Sequence, residues 1–163
     1  AMEEAYKAGK VRAIGVSNFS PDRFIDLQHF VEIKPAVNQI ETHIFQQQKE
    51  AKKYLEKYKC QIESWGPFAE GRNDFFNTPL LKEIGEKYGK SVAQVALRFL
   101  IQSDVVVIPK SDHKERMKEN FNVFDFELTE EEMKSIEGLD QEKSLFFDHQ
   151  DPETAERYMS LLD

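Results

Sequence analysis

The stretch 105–120, VVVIPKSDHKERMKEN, gathers residue types suited to holding an anion. Val105, Val106, Val107 and Ile108 form a β-branched run, the pattern of a short parallel strand buried on both faces, and Pro109 ends it. Lys110 and Ser111 therefore fall at a strand's carboxyl end. Asp112 and Glu115 stand in the D-x-x-E spacing of a capping box, which predicts a helix opening at Asp112. A helix N-terminus carries unpaired N–H groups and partial positive charge, so a lysine just before it and Arg116 just over one turn inside make an anion site. Arg116, Glu119 and Asn120 lie at i, i+3 and i+4, so a cation, an acceptor and an amide share one helix face. The same spacing also fits an ordinary capped surface helix, and spacing alone does not choose between the two.

The elements that must position these residues alternate regularly. Residues 1–8 read as a helix stopped by Gly9. A strand at 12–16 ends in the loop Ser17-Asn18-Phe19, and Ser20 caps a helix with Pro21 at its first position and an apolar face of Phe24, Leu27 and Val31. The next strand, 36–40, holds Asn38 and Gln39 where Val or Ile is the default. One of these amides must face inward, and a buried amide without partners costs ~1–3 kcal/mol, so it has a structural partner or a ligand. A helix at 46–59 carries Ala51, Tyr54, Leu55 and Tyr58 on one face. A third strand, about 60–64, stops at Trp65-Gly66-Pro67. Trp65, the only tryptophan, is either core filler or a platform for a ring.

After a polar loop at 70–74 come helices at 80–88, stopped by Gly89, and at 91–101, opened by a Ser91/Gln94 capping box and strongly amphipathic. Thr129 caps a short helix with Met133 and Ile136. The tail from Lys143 onward, with Phe146, Phe147, His149 and Tyr158, has no clear period. Paired phenylalanines rarely stay in water, which favours a flap over a pocket against an ordinary C-terminal arm. Strand and helix in alternation imply an α/β fold with a parallel sheet and right-handed crossovers.

Composition narrows the setting. A chain of 163 residues with 40% hydrophobic content can fill one core. A net charge of −8 disfavours nucleic acid and anionic membrane as partners. Cys60 stands alone, so no internal disulfide forms and a reducing, cytoplasmic interior fits. No apolar run reaches the length of a membrane span and no signal-like start is evident.

Ligands of parallel α/β folds gather at the carboxyl ends of the strands. Here those ends supply Ser17 and Asn18, Gln39 and Glu41, Trp65 and Gly66, then Lys110 and Ser111. Amides, a ring and a cation suit a flat heteroaromatic amide and a phosphate, which together describe a nicotinamide dinucleotide. They suit acid–base chemistry poorly, and Glu41 with Lys110 is the only candidate pair.

Three separated motifs now carry a resemblance. The runs GKVRAIGVSNF at 9–19, VNQIE at 37–41, and IPKS at 108–111 followed by Arg116 and Glu119-Asn120, resemble the aldo-keto reductase family. The likeness extends along the whole chain but corresponds only to the C-terminal half of that family's (β/α) TIM barrel, four parallel strands with flanking helices. It implies that Ser17, Asn18 and Gln39 hold the nicotinamide carboxamide and that Trp65 stacks on its ring. Gly66 stands where many members have serine on the pyrophosphate side. Lys110, Ser111 and Arg116 match the grip on the adenosine 2′-phosphate, and Glu119 and Asn120 the adenine contacts, so NADP(H) is implied over NAD(H). The family's catalytic Asp, Tyr, Lys and His lie on strands this sequence does not contain, so no catalytic residue carries over.

The resulting expectation is an NADPH-dependent reductase of small carbonyl substrates, represented by its cofactor half, with 143–163 as a substrate-covering tail and no turnover by itself. A sheet open at both edges needs covering, by a second copy in a homodimer or by the N-terminal half. The rival expectation is a non-catalytic NADP(H)-binding or self-assembling module. A truncated product without function is the third.

Overall fold

The computed structural model describes residues 1–148 and 151–161; His149 lies outside them. After a first helix, α1 (Met2–Lys7), four strands alternate with helices: β1 (Gly15–Ser17), α2 (Pro21–Phe30), β2 (Val37–Glu41), α3 (Lys49–Lys57) and β3 (Gln61–Trp65). A kinked 3-10 segment (Ala69–Asn77) leads to α4 (Pro79–Tyr88) and α5 (Val92–Gln102), then β4 (Val106–Val107) and α6 (Lys114–Phe121). Two further short helices follow among the described residues, α7 (Glu130–Glu137) and α8 (Pro152–Met159). The strands form one parallel sheet in the order β1-β2-β3-β4. No helix among the described residues is long and apolar enough to cross a membrane.

The sheet has two unlike faces. One carries Asn38, Ile40, Ile62 and Ser64, all buried, of which Ile40 and Ile62 join Phe24, Leu55, Leu97 and Leu100 in the hydrophobic core. The other carries a row fixed by register, Ser17 beside Gln39, Gln39 beside Glu63, and Glu63 beside Val106. Val106 and Ile108 are 44% and 48% exposed on this side, which corrects the expectation of a strand buried on both faces. The run at 105–108 is the edge of the sheet, and side chains that alternate in direction are covered only where helices lie over them.

Other expectations shift for identifiable reasons. α3 begins at Lys49 rather than 46, because His43 and Gln46 pair in a tight antiparallel bridge that precedes the helix. α5 is not simply amphipathic, since every residue from Gln94 to Leu100 is buried. Its polar members have partners: the Gln94 amide donates to the carbonyls of Glu119 and Asn122, satisfying the end of α6, and Arg98 donates to Gln102 and to the Val123 carbonyl. The capping box expected at Ser91 with Gln94 is present, and the cap expected at Thr129 proves to be a second box, with Glu132. The tail is not aperiodic throughout. Asp151 accepts N–H bonds from Glu153 and Thr154 and opens α8 ahead of Pro152, a start signal legible in the sequence.

Candidate functional site

At the end of β4 the chain does not enter a helix at Asp112. Ser111 Oγ accepts the His113 N–H at 3.1 Å, a local turn that delays the helix until Lys114 and leaves His113 as its N-cap. Asp112 therefore makes no capping box with Glu115 and pairs instead with Lys110 at 3.7 Å and His113 at 3.6 Å. The later start moves Arg116 into the first turn of α6, closer to the unpaired N–H groups than the sequence implied. Arg116 has no ion-pair partner among the described residues.

Lys110, Ser111, Arg116, Glu119 and Asn120 line one cavity of about 560 Å³. Most of the rest of its lining comes from residues that sequence reasoning missed. Phe68, just before the 3-10 segment, and Phe76, within it, have ring centroids 5.8 Å apart, and Ser91, Val92 and Ala93 come from the start of α5. Ser91 does more than cap its helix, because its hydroxyl also donates to Glu119 and orients that carboxylate at the cavity. The aromatic wall had a signal in the sequence, since Phe75-Phe76 is an apolar pair inside an otherwise polar loop, and Phe76 stays 48% exposed. Cations, paired aromatic rings, an acceptor and an amide lining one cavity can hold a phosphate and a flat heterocycle together.

The remaining expected residues form a second cluster at the carboxyl ends of β1, β2 and β3. Asn18, at φ 57°, donates its backbone N–H to the Gln39 carbonyl at 2.9 Å. Its side-chain amide donates to Ser17 Oγ at 3.2 Å and accepts the Trp65 indole N–H at 2.7 Å. Ser17 Oγ donates in turn to the Gln39 carbonyl at 3.1 Å, and the Gln39 amide donates to Glu63. Gly66 sits at φ +65°, a conformation that side-chain-bearing residues rarely adopt, whereas a Cβ there would meet only ordinary contact with Phe146. The inward amide of β2 is Asn38, fully buried and bonded to both backbone groups of Phe19, so its partner is structural.

Glu41 and Lys110 do not form a pair. Glu41 is buried and accepts from His43 Nε2 at 2.9 Å, from the Leu145 N–H at 3.0 Å and from the Ser144 hydroxyl at 2.5 Å. Burial pushes its carboxyl up, yet these bonds outweigh burial and hold it below the ordinary value. Lys110 is exposed beside Asp112.

A parallel βα sheet with its polar groups collected at the strands' carboxyl ends is the arrangement of a (β/α) barrel segment. The sequence matches the profile of the aldo/keto reductase family over residues 1–141, and the chain belongs to that family. It is 45% identical over 143 residues to the glyoxal reductase of Bacillus subtilis, covering 88% of this chain and 51% of that protein. Among solved structures it resembles MGS-M4, an aldo-keto reductase from a deep-sea metagenome library, with a TM-score of 0.88, 38% identity, and coverage of 93% of this chain and 56% of that one. A Gox0644 mutant in complex with NADPH gives a TM-score of 0.85 at 35% identity, covering 91% and 54%. The chain spans about half the length of the curated relatives it matches.

Proposed function

We propose that this chain is the cofactor-gripping half of an NADPH-dependent aldo-keto reductase that converts a small aldehyde or ketone to its alcohol. The observation that carries this reading is the single cavity that unites Lys110, Ser111, Arg116, Glu119 and Asn120. The donor set suits a phosphomonoester: two cations and a hydroxyl, beside the N-terminus of α6. In this reading Arg116 and Lys110 hold the adenosine 2′-phosphate with Ser111, while Glu119 and Asn120 face the adenine and the Phe68/Phe76 wall borders it. Ser17, Asn18 and Gln39 orient the nicotinamide carboxamide, Trp65 lies against its ring, and Gly66 leaves the chain room to turn on the pyrophosphate side. The cofactor, when bound, supplies the hydride. This chain's residues hold and orient it, and the family's proton-donating Tyr with its Asp, Lys and His belongs to the half outside this sequence. By itself the chain turns over no substrate.

Residues 143–163 serve as the substrate-side cover, and the relative named as a glyoxal reductase supports a small dicarbonyl as the substrate class. The setting is cytoplasmic, a reading supported by Cys60 being the only cysteine in the sequence. A second reading, a self-assembling NADP(H)-binding module, is favoured by one observation. β1 and β4 have no outer partner strand among the described residues, and Val106 and Ile108 remain exposed beside the open edge.

Titration with NADPH and NADH, followed by Trp65 emission, tests the cofactor reading. Each charge-assisted bond to phosphate contributes ~1.5–3 kcal/mol, so Arg116→Ala should weaken NADPH roughly ten- to a hundredfold and NADH much less. Equal affinity for the two nucleotides, or none, overturns the assignment. Activity recovered on adding the separately expressed N-terminal half would favour the enzyme over the module.

A further inference from the structure

Three donors converge on Glu41, a carboxylate for which the cofactor reading has no use. Its Oε1 accepts from His43 Nε2 and from the Leu145 N–H, and its Oε2 accepts the Ser144 hydroxyl. His43 Nδ1 accepts the Phe45 N–H at 3.2 Å, so the ring proton resides on Nε2 and is donated to Glu41. A side chain facing three donors has to be acceptor-only. An ionised carboxylate meets that demand, and an amide of the same shape does not.

Ser144 passes the constraint along the chain. With its proton given to Glu41, its oxygen accepts the N–H groups of Phe146 at 3.0 Å and Phe147 at 3.1 Å. The turn this closes seats both rings on Trp65, Phe146 edge-on at 5.0 Å and Phe147 nearly parallel at 6.5 Å. Arg72, from the 3-10 segment beyond Trp65, reaches the same turn from the other side. Its guanidinium lies 4.3 Å from the Phe146 ring centroid, and its Nη1 donates to the Leu145 carbonyl at 3.3 Å.

We propose that Glu41 is a positioning residue that, through Ser144, seats the 144–147 turn on Trp65, and that Arg72 ties this turn to the segment after β3 so that both close as one unit. For its functional consequence the proposal rests on reading Trp65 as the nicotinamide platform. The turn then fixes the indole before any nucleotide arrives, so less ordering remains to be done on binding.

Trp65 is the chain's only tryptophan, so acrylamide quenching of its emission in the nucleotide-free 163-residue protein reads the seat of the turn. Ser144→Ala should raise the quenching constant roughly twofold, as when a local contact opens while the fold persists. Ser144→Thr keeps the hydroxyl and should stay near the wild-type value. Glu41→Gln should match Ser144→Ala, and the double variant should add nothing, because the two residues act in series. Arg72→Met should raise quenching as well. An unchanged constant in Ser144→Ala with native circular dichroism overturns the proposal. If Glu41→Gln does not fold, the Ala/Thr contrast at Ser144 decides by itself. With no nucleotide in the assay, failure of the NADPH reading leaves this outcome untouched.

Discussion

The indole N–H of Trp65 donates to Asn18 Oδ1 at 2.7 Å, joining the carboxyl end of β3 to that of β1 across the strand between them. The bond holds the side-chain amide of Asn18 in one orientation, with its NH₂ turned to Ser17. It also anchors the N–H edge of the ring.

Trp65→Phe keeps a ring but removes the donor. A hydrogen bond of this kind contributes ~0.5–1.5 kcal/mol, so if Asn18 and Trp65 act together on the nicotinamide end, NADPH affinity should fall roughly two- to tenfold. The intrinsic fluorescence of NADPH reports it, since the indole signal is gone. Unchanged affinity would separate Asn18 orientation from binding.

Gly85→Ala should destabilise the fold, against the usual gain of ~1 kcal/mol for alanine over glycine in a helix. Gly85 is buried in α4, and a Cβ built there falls 2.4 Å from the Lys90 backbone carbonyl oxygen, while Lys90 is tethered alongside by its own N–H, which donates to the Gly85 carbonyl at 2.8 Å. Overpacking of this sort costs ~1–3 kcal/mol, so the urea midpoint should fall with the slope unchanged.

Acid should loosen the contact between α4 and α7. Burial pushes Glu132 up, but Lys87, the Thr129 N–H and Tyr88 outweigh it and bring the carboxyl to about 2 from 4.5. A folded pKa below the unfolded one means the stabilisation is complete above about 4.5 and is lost as pH falls towards 2. The thermal midpoint should drop across that window. Glu132→Gln should flatten the part of the slope that Glu132 contributes, and an unaltered profile would remove it from the acid transition.

Much of the fold was legible because it is written locally. The order of strands and helices follows from β-branched runs and helical spacing, and the boxes at Ser91 and Thr129 follow from pairs three residues apart. Where the reading missed, a non-local or competing contact had intervened. The D-x-x-E spacing at Asp112 lost to the Ser111 turn, and the register of α3 lost to the His43–Gln46 bridge. The apolar run at 105–108 could not reveal that one of its faces lies at an uncovered sheet edge.

The same division holds for the site. The chemical types at each strand end, Ser17 and Asn18, Gln39, Trp65, Lys110 and Ser111, and the shared face of Arg116, Glu119 and Asn120, are properties of sequence order and helical period. Which of them meet is not. That Ser91 reaches Glu119, that Trp65 holds Asn18, and that Glu41 serves Ser144 and Leu145 rather than Lys110 are contacts between residues 28 to 104 positions apart. Such pairings are set by how the strands register and how the helices pack, and a one-dimensional spacing carries no distance across the sheet.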